Sequence, residues 1–536
     1  MKYAQHFNTR ETPQSQKIPG SDQVPNSAGG YSFEVSNWDR LERFLILGAE
    51  EGSYYASEKK LVIQNSETVL KCIKENGLRT VQVIVDVSTR GRAPKNDPAL
   101  FALAMCAGLG DAVTKKEALR VLPQVARIGT HLFQFVEAVE KFRGWGRGLK
   151  TGVGSWYLDK APASLAYQLV KYQQREGWSH RDVLRLAKPV PQGEGHQALF
   201  KWATRGELAE DLPEDLKIVR GFEMAKGAKT VKEVLPLIEA YGLTREMIPT
   251  QFLKEGKVWE ALLPGMPMTA MIRNLGNMSK SGILGQLSVA EKVIVERLGD
   301  RDFIRKARIH PLGVLVAMNT YKTGHGIRGS GTWDVNRNVV DALDEAFYLA
   351  FENVQPSGKR MLLALDVSGS MGGPEISGMP GISPRIGSAA MAMVTLKTEK
   401  NVATMAFSSQ FVELDISRRK RLDDVVKAVS GIPFGGTDCS LPMIWALQRK
   451  IPVDAFVVYT DSETWSGLTH PVQALRKYRD AMGIPTKLIV VGMTSNGFTI
   501  ADPKDSGMLD VVGFDTAAPA VMADFIRGGA ALNADG

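Results

Sequence analysis

Five oxygen-bearing residues stand at spacings suited to a hard metal ion. Asp366, Ser368 and Ser370 lie together in LALDVSGSMGG, Thr437 lies in FGGTDCS, and Asp461 lies in VVYTDSE. The first and third follow short apolar runs of the kind that form buried strands, whose carboxyl ends open on a ligand crevice in a doubly wound sheet. Two carboxylates and three hydroxyls are hard donors. They suit a divalent cation, Mg²⁺ first and Mn²⁺ second, rather than zinc. Mg²⁺ takes few protein ligands and keeps waters, so one position would remain for a partner's oxygen. The competing reading is that these residues only make turns and helix caps. No catalytic residue is expected. Ser368 lacks the G-x-S-x-G surround of a hydrolase nucleophile. An aspartate nucleophile would show a second Asp where Ser368 stands, and no phosphate-binding loop or dinucleotide fingerprint has the correct context. A metal-dependent nuclease or phosphatase would need a base near the metal, and Glu463 is the nearest candidate.

A second set of residues could hold phosphates. Lys171 and Arg175 fall at i, i+4 in SLAYQLVKYQQREGW, and Arg181, Arg185 and Lys188 fall at i, i+4, i+7 just after it. Arg143, Arg147 and Lys150 repeat that spacing, with Gly144, Gly146 and Gly148 arguing against one continuous helix. Like charges at this spacing cost an isolated helix roughly 0.2–0.5 kcal/mol per pair. A phosphate backbone would turn that repulsion into attraction. His180 sits at the turn between two stripes, where it could bond a phosphate or base, or merely cap. Trp145, Trp156, Trp178, Tyr157 and Tyr172 interleave with the cations. They could stack bases, although helical spacing favours core positions.

The elements that must carry these residues change character along the 536-residue chain. Residues 1–28 are polar and are expected to form a flexible arm. From about 35 to 350 apolar residues recur at helical spacing, as in WDRLERFLIL, with Thr114 and Glu117 read as one capping box and Ser179 and Asp182 as another. More than ten short helices without strand alternation indicate stacked helix pairs. Near Gln355-Pro356-Ser357-Gly358 the pattern turns to strands alternating with helices, so residues 29–355 are expected as an all-α repeat domain and 356–536 as an α/β domain. The formal charge of +8 belongs wholly to the first part: residues 356–536 carry 18 basic and 18 acidic residues, leaving 48 and 40 for residues 1–355. Such asymmetry suits a polyanion partner. Three scattered cysteines exclude a disulfide scaffold, no 18-residue apolar run suggests a membrane span, and the polar start lacks the apolar core of a signal peptide. The expected location is the cytoplasm.

Longer stretches carry a resemblance. GGYSFEVSNWDRLERFLILGAEEGSYY, VKYQQREGWSHRDVLRL, LLPGMPMTAMIRNLG, KARIHPLGVLVAMNTYKTGHGIRG, FGGTDCSLPMIWA and KLIVVGMTSNGFTIADPKDSGMLDVVGFD are similar to the Ro ribonucleoprotein family, the SS-A autoantigen and its bacterial relatives. The resemblance implies a TROVE module, a ring of HEAT-like helical repeats, closed by a von Willebrand factor A-like domain of Rossmann-like α/β architecture. It implies a metal-ion-dependent adhesion site at Asp366, Ser368, Ser370, Thr437 and Asp461, open to a protein ligand. It also implies a non-enzymatic, monomeric ring that binds Y RNAs outside and the single-stranded 3′ ends of misfolded non-coding RNAs inside. In bacterial relatives Y RNA can tether an exoribonuclease. Lys171, Arg175 and His180 fall in the family's RNA-binding stretch. Lys188 stands where some members carry a histidine implicated in Y RNA binding, so a lysine there keeps phosphate attraction but loses a planar ring.

Overall fold

A computed structural model describes residues 11–48, 58–326, 331–351, 355–373, 375–376, 381–414, 416–433 and 435–528. Its strands are β1 (Val24–Pro25), β2 (Tyr31–Glu34), β3 (Gln174–Arg175), β4 (Trp178–Ser179), β5 (Met361–Asp366), β6 (Val402–Phe407), β7 (Phe411–Glu413), β8 (Ala455–Thr460), β9 (Lys487–Gly492), β10 (Phe498–Thr499) and β11 (Met508–Val512).

From helix Asn37–Leu47 to helix Arg337–Leu349 the chain is a succession of helices, each packed mainly on those near it in sequence. Their apolar faces make one continuous core, which explains how helices as short as His180–Ala187 persist: Val183, Leu184 and Ala187 are buried while Arg181 and Arg185 face out. The long helix Glu58–Arg90 is interrupted at Asn76, and Gly77 beyond it leaves room for Thr114, whose hydroxyl would collide with any Cβ there. The Thr114 capping box is not formed. The cap of helix Ala112–Arg120 is Asp111, whose carboxylate accepts from the Thr114 amide at 2.7 Å, and Thr114 is buried inside the helix. Ser179 and Asp182 do form the expected box.

The C-terminal sheet runs β11-β9-β8-β5-β6-β7, parallel except for β7. Alternate residues of β5 enter two cores. Leu363 and Leu365 join the core shared with the helical domain, while Leu362 and Ala364 face a second core under helices Leu441–Gln448 and Pro471–Met482. Both ends of the helical succession dock on this domain. From the start, Arg43 pairs with Asp510 and Arg92 with Asp515. From the end, His310 bonds the Phe514 carbonyl, Lys322 pairs with Asp423, and Asp341 pairs with Arg421. A row of neighbour-packed helices whose two ends meet one domain is a closed ring.

Residues 11–28 correct the expectation of a flexible arm. They lie against the C-terminal domain with Gln14, Ile18, Gln23 and Asn26 buried, and β1 and β2 join β10 in a three-stranded sheet. A polar segment becomes ordered here because its buried amides find partners more than 400 residues away. Residues 1–10 of the expected arm lie outside the described residues.

Candidate functional site

All five oxygen donors are buried, and Asp366, Ser368, Ser370 and Asp461 lie together at the carboxyl edge of the sheet, with Thr437 on an adjoining loop. Asp366 ends β5, and Asp461 follows directly on β8, its parallel neighbour. The Asp366 carboxylate accepts from the Thr460 hydroxyl at 2.6 Å and from the Ser368 amide at 2.9 Å. The Ser368 and Ser370 hydroxyls are 3.1 Å apart. Asp461 accepts from the Glu463 amide at 3.1 Å and from the Ser370 hydroxyl. Burial and the neighbouring Asp461 carboxylate hold the Asp366 carboxyl well above the usual range, and burial likewise raises Asp461. Two enclosed carboxylates that repel each other are the electrostatic complement of a dication. Among the described residues no three His, Cys, Asp or Glu side chains converge, so a cation here would draw its other ligands from hydroxyls and water. That donor set fits Mg²⁺ or Mn²⁺.

The loops behind the site are laced together. The Thr437 carbonyl accepts from the amides of Trp465 and Ser466, both at 3.1 Å, tying the Thr437 loop to the turn after Asp461. Arg385 is buried nearby and donates to the carbonyls of Val367 and Ile432, bringing positive charge toward Asp366. Glu463, the candidate base, is a buried acceptor. It takes the amides of Ser27 at 2.7 Å and Ala28 at 3.2 Å and the Asn496 side chain at 3.3 Å, and burial beside Asp461 raises its carboxyl to about 7. These bonds give it a structural task.

The cationic residues separate into exposed and internal groups. Helix Pro162–Lys171 stops at Lys171, so Lys171 and Arg175 share no helix face. Glu176 and Gly177, both at positive φ, turn β3 back onto β4, and Arg175 sits opposite Trp178 in that hairpin. The signal missed in the sequence was Glu-Gly as a two-residue hairpin turn. The Lys171 side chain is 7% exposed, its ammonium bonded to the Tyr167 hydroxyl at 2.8 Å and lying against the rings of Tyr167 and Tyr172. Arg175 is 57% exposed, and its one ion pair among the described residues is with its neighbour Glu176, at 2.9 Å. His180 is corrected as a phosphate contact. It is buried among Phe133, Trp156 and Tyr157, bonded to the Tyr157 hydroxyl at 3.0 Å, and desolvation lowers its pKa to about 3, so it is neutral. Arg143 donates to the Ala107 carbonyl at 2.9 Å, at the end of helix Asp97–Leu109. Trp156 and Tyr157 are core.

Arg147, Lys150, Arg181 and Lys188 are exposed, and none forms an ion pair among the described residues. Arg185 is exposed and reaches the Thr204 carbonyl at 3.2 Å. Lys188 caps helix His180–Ala187 in the left-handed region. Trp145 and Trp178 are half-buried and in contact, with ring centroids 6.2 Å apart, their indole N–H groups donating to Glu140 and Glu137. That contact brings the start of helix Arg147–Leu158 to the start of helix His180–Ala187. Arg147 follows Trp145 by two residues, Arg175 is paired across the hairpin with Trp178, and Arg181 follows Trp178 by three, so all three lie close along the backbone to one aromatic pair. The sequence showed them as three separate stripes.

Comparison with known proteins covers nearly the whole chain. The family model described as the TROVE domain matches residues 24–214 and 240–323, and that described as the Ro60 vWA domain matches residues 360–526. The RNA-binding protein RO60 of Deinococcus radiodurans is 42% identical over 97% of this chain and 98% of its own length. The protein of the same name from Caenorhabditis elegans is 35% identical over 97% of this chain and 92% of its own. The crystal structure of the Deinococcus radiodurans RO (RSR) protein superposes with a TM-score of 0.71, covering 92% of this chain and all of that one.

Proposed function

The chain belongs to the Ro60 family of RNA-binding proteins, and on that premise we propose that it binds Y RNAs and the single-stranded 3′ ends of misfolded non-coding RNAs as a ring-shaped scaffold in RNA quality control. RNA is the ligand of its helical ring. Its relatives are named as RNA-binding proteins rather than as enzymes, and no catalytic step is assigned to the chain. The observation that carries the reading is that Arg147, Arg175 and Arg181 are exposed on the segments that the Trp145–Trp178 contact brings together. Guanidinium groups on an exposed face attract phosphates of any sequence, and the affinity comes from counterion release. Recognition then reads shape: duplex RNA lies on the outer face and an unpaired end enters the ring. Because one chain closes the ring, the working unit is a monomer. A Y RNA held outside would leave a free arm for an exoribonuclease. Three free, buried cysteines suit a reducing cytoplasm, and no helix among the described residues is long and apolar enough to cross a membrane.

A second reading concerns the other domain. The buried donor set of Asp366, Ser368, Ser370, Thr437 and Asp461 favours a metal-dependent protein-interaction module holding Mg²⁺ or Mn²⁺. When bound, the cation would supply an open coordination position for a carboxylate oxygen of a protein ligand. The chain's residues would fix that position and keep the carboxylates apart. The two functions use different surfaces and can coexist.

Two RNAs that share one duplex and differ only in a single-stranded 3′ tail test the RNA reading. Tighter binding of the tailed RNA is expected. Equal affinity for the blunt RNA refutes entry into the ring.

A further inference from the structure

The N-terminal segment touches the back of both loops that complete the metal site, and one buried side chain bonds to both of them. Gln14 is fully buried. Its amide nitrogen donates to Asp438 Oδ1 at 2.7 Å, next to Thr437, and to the Thr469 carbonyl at 2.8 Å. Its amide oxygen accepts from the Thr464 hydroxyl, three residues after Asp461. Its backbone N–H donates to the Gly467 carbonyl and its carbonyl accepts from the Tyr31 N–H, both at 2.9 Å. Asn26 and Ser32 extend the contact, donating to the carbonyls of Thr464 and Ser462, both at 2.8 Å. Every one of these partners lies on the loop from 437 to 440, on the loop from 461 to 469, or on the segment itself.

We propose that residues 11–32 form a strap that is part of the metal site, with Gln14 as the positioning residue that holds the Thr437 loop and the Asp461 loop at one spacing. The proposal rests on the metal-site reading above. The two loops bond each other through the Thr437 carbonyl and the Trp465 and Ser466 amides, Gln14 adds a buried bridge behind them, and a small dication tolerates little change in ligand spacing. A side-chain amide that donates to both loops and accepts from one of them fixes the distance between them, as the outer hydrogen bonds of metal ligands do in general. Asp438 shows the consequence of loss. Its Oδ1 also accepts from the Ser440 amide at 3.0 Å and hydroxyl at 2.6 Å, so without Gln14 it would be held by its own loop alone. Binding and strap order are then linked in both directions: an ordered strap raises metal affinity, and bound metal orders the strap. Because β2 leads directly into helix Asn37–Leu47, the strap also ties the metal site to the first helix of the ring.

The test uses the full chain and Mn²⁺ as the probe, followed by its paramagnetic resonance. Gln14→Ala should weaken Mn²⁺ binding by about 10–100-fold. Tyr478→Phe is the structural control. It removes a buried hydroxyl that bonds the Val453 amide and the Ile451 carbonyl ahead of β8, at the opposite end of that strand from Asp461, and it should lower the melting temperature with unchanged Mn²⁺ affinity. Asp461→Ala reports on the site itself and should abolish binding. In the wild-type chain, saturating Mn²⁺ should slow amide hydrogen exchange across residues 11–31, a measurement that needs no variant to fold. Unchanged affinity in Gln14→Ala, an equal loss in Tyr478→Phe, or strap exchange indifferent to Mn²⁺ overturns the strap's role. Wild-type Mn²⁺ affinity in Asp461→Ala instead overturns the metal site and the strap's role with it.

Discussion

Replacing Arg147, Arg175 and Arg181 together by alanine should weaken RNA binding by an amount that depends on salt in a calculable way. Arg147 and Arg181 are exposed without an ion pair among the described residues, and Arg175 is held only by an exposed neighbour. If each meets one phosphate of a duplex, the slope of log affinity against log salt should become shallower by about 0.9 per contact, or roughly 2.7 for the three. Between 50 and 200 mM salt that slope corresponds to a factor of about 40. The wild-type advantage over the triple variant should therefore be about 40 times larger at the lower salt. Fluorescence anisotropy with one labelled, duplex-containing RNA at the two salt concentrations measures it. Folding should be nearly unaffected, within about 1 kcal/mol, because surface ion pairs such as Arg175–Glu176 contribute little. A ratio of affinities that stays constant with salt refutes the phosphate contacts, and an unchanged affinity refutes the whole surface assignment.

Acid should loosen the junction between ring and C-terminal domain. His310 is buried, accepts the Leu312 amide on Nδ1 at 3.2 Å and bonds the Phe514 carbonyl through Nε2 at 2.7 Å, and desolvation lowers its pKa to about 4 despite the attraction of Asp515, which Arg92 largely engages. Because the folded value lies below the unfolded value near 6.5, this stability is present above pH 6.5 and is lost as pH falls toward 4; the loss from pH 7 to 5 is about 2 kcal/mol. Denaturation midpoints of wild type and His310→Gln at the two pH values check this, and an identical pH dependence in both would contradict it. Arg43→Ala should destabilise the chain by about 3–5 kcal/mol, because Asp510 would keep its burial and lose the cation that it meets through two 2.6 Å bonds. Adding Asp510→Asn should recover part of that loss in the same denaturation assay, and no recovery would show that packing rather than charge was removed.

Much of this molecule was legible from residue order alone. The change of pattern near residue 358 is local: helical spacing before it and short apolar runs after it follow from which faces each element buries. The placement of the two carboxylates of the proposed metal site was legible for the same reason. Asp366 and Asp461 sit where apolar runs end, and a parallel sheet brings such ends to one edge. The whole-chain resemblance to the Ro family was also written in the sequence, in stretches too long and specific to depend on structure.

The tertiary structure alone decided which charges meet solvent and which segments are ordered. Lys171 and Arg175 look equivalent in a periodic pattern, yet a hairpin turn places one against tyrosines and the other in water. His180 reads as a turn residue but is enclosed by three aromatic rings from two other helices. Residues 11–28 read as a polar arm because their partners, Asp438, Thr464 and His470 among them, lie more than 400 positions away. Periodicity records which side of an element is apolar. It carries no record of what arrives from elsewhere to cover the other side, and burial of a polar group is decided by that arrival.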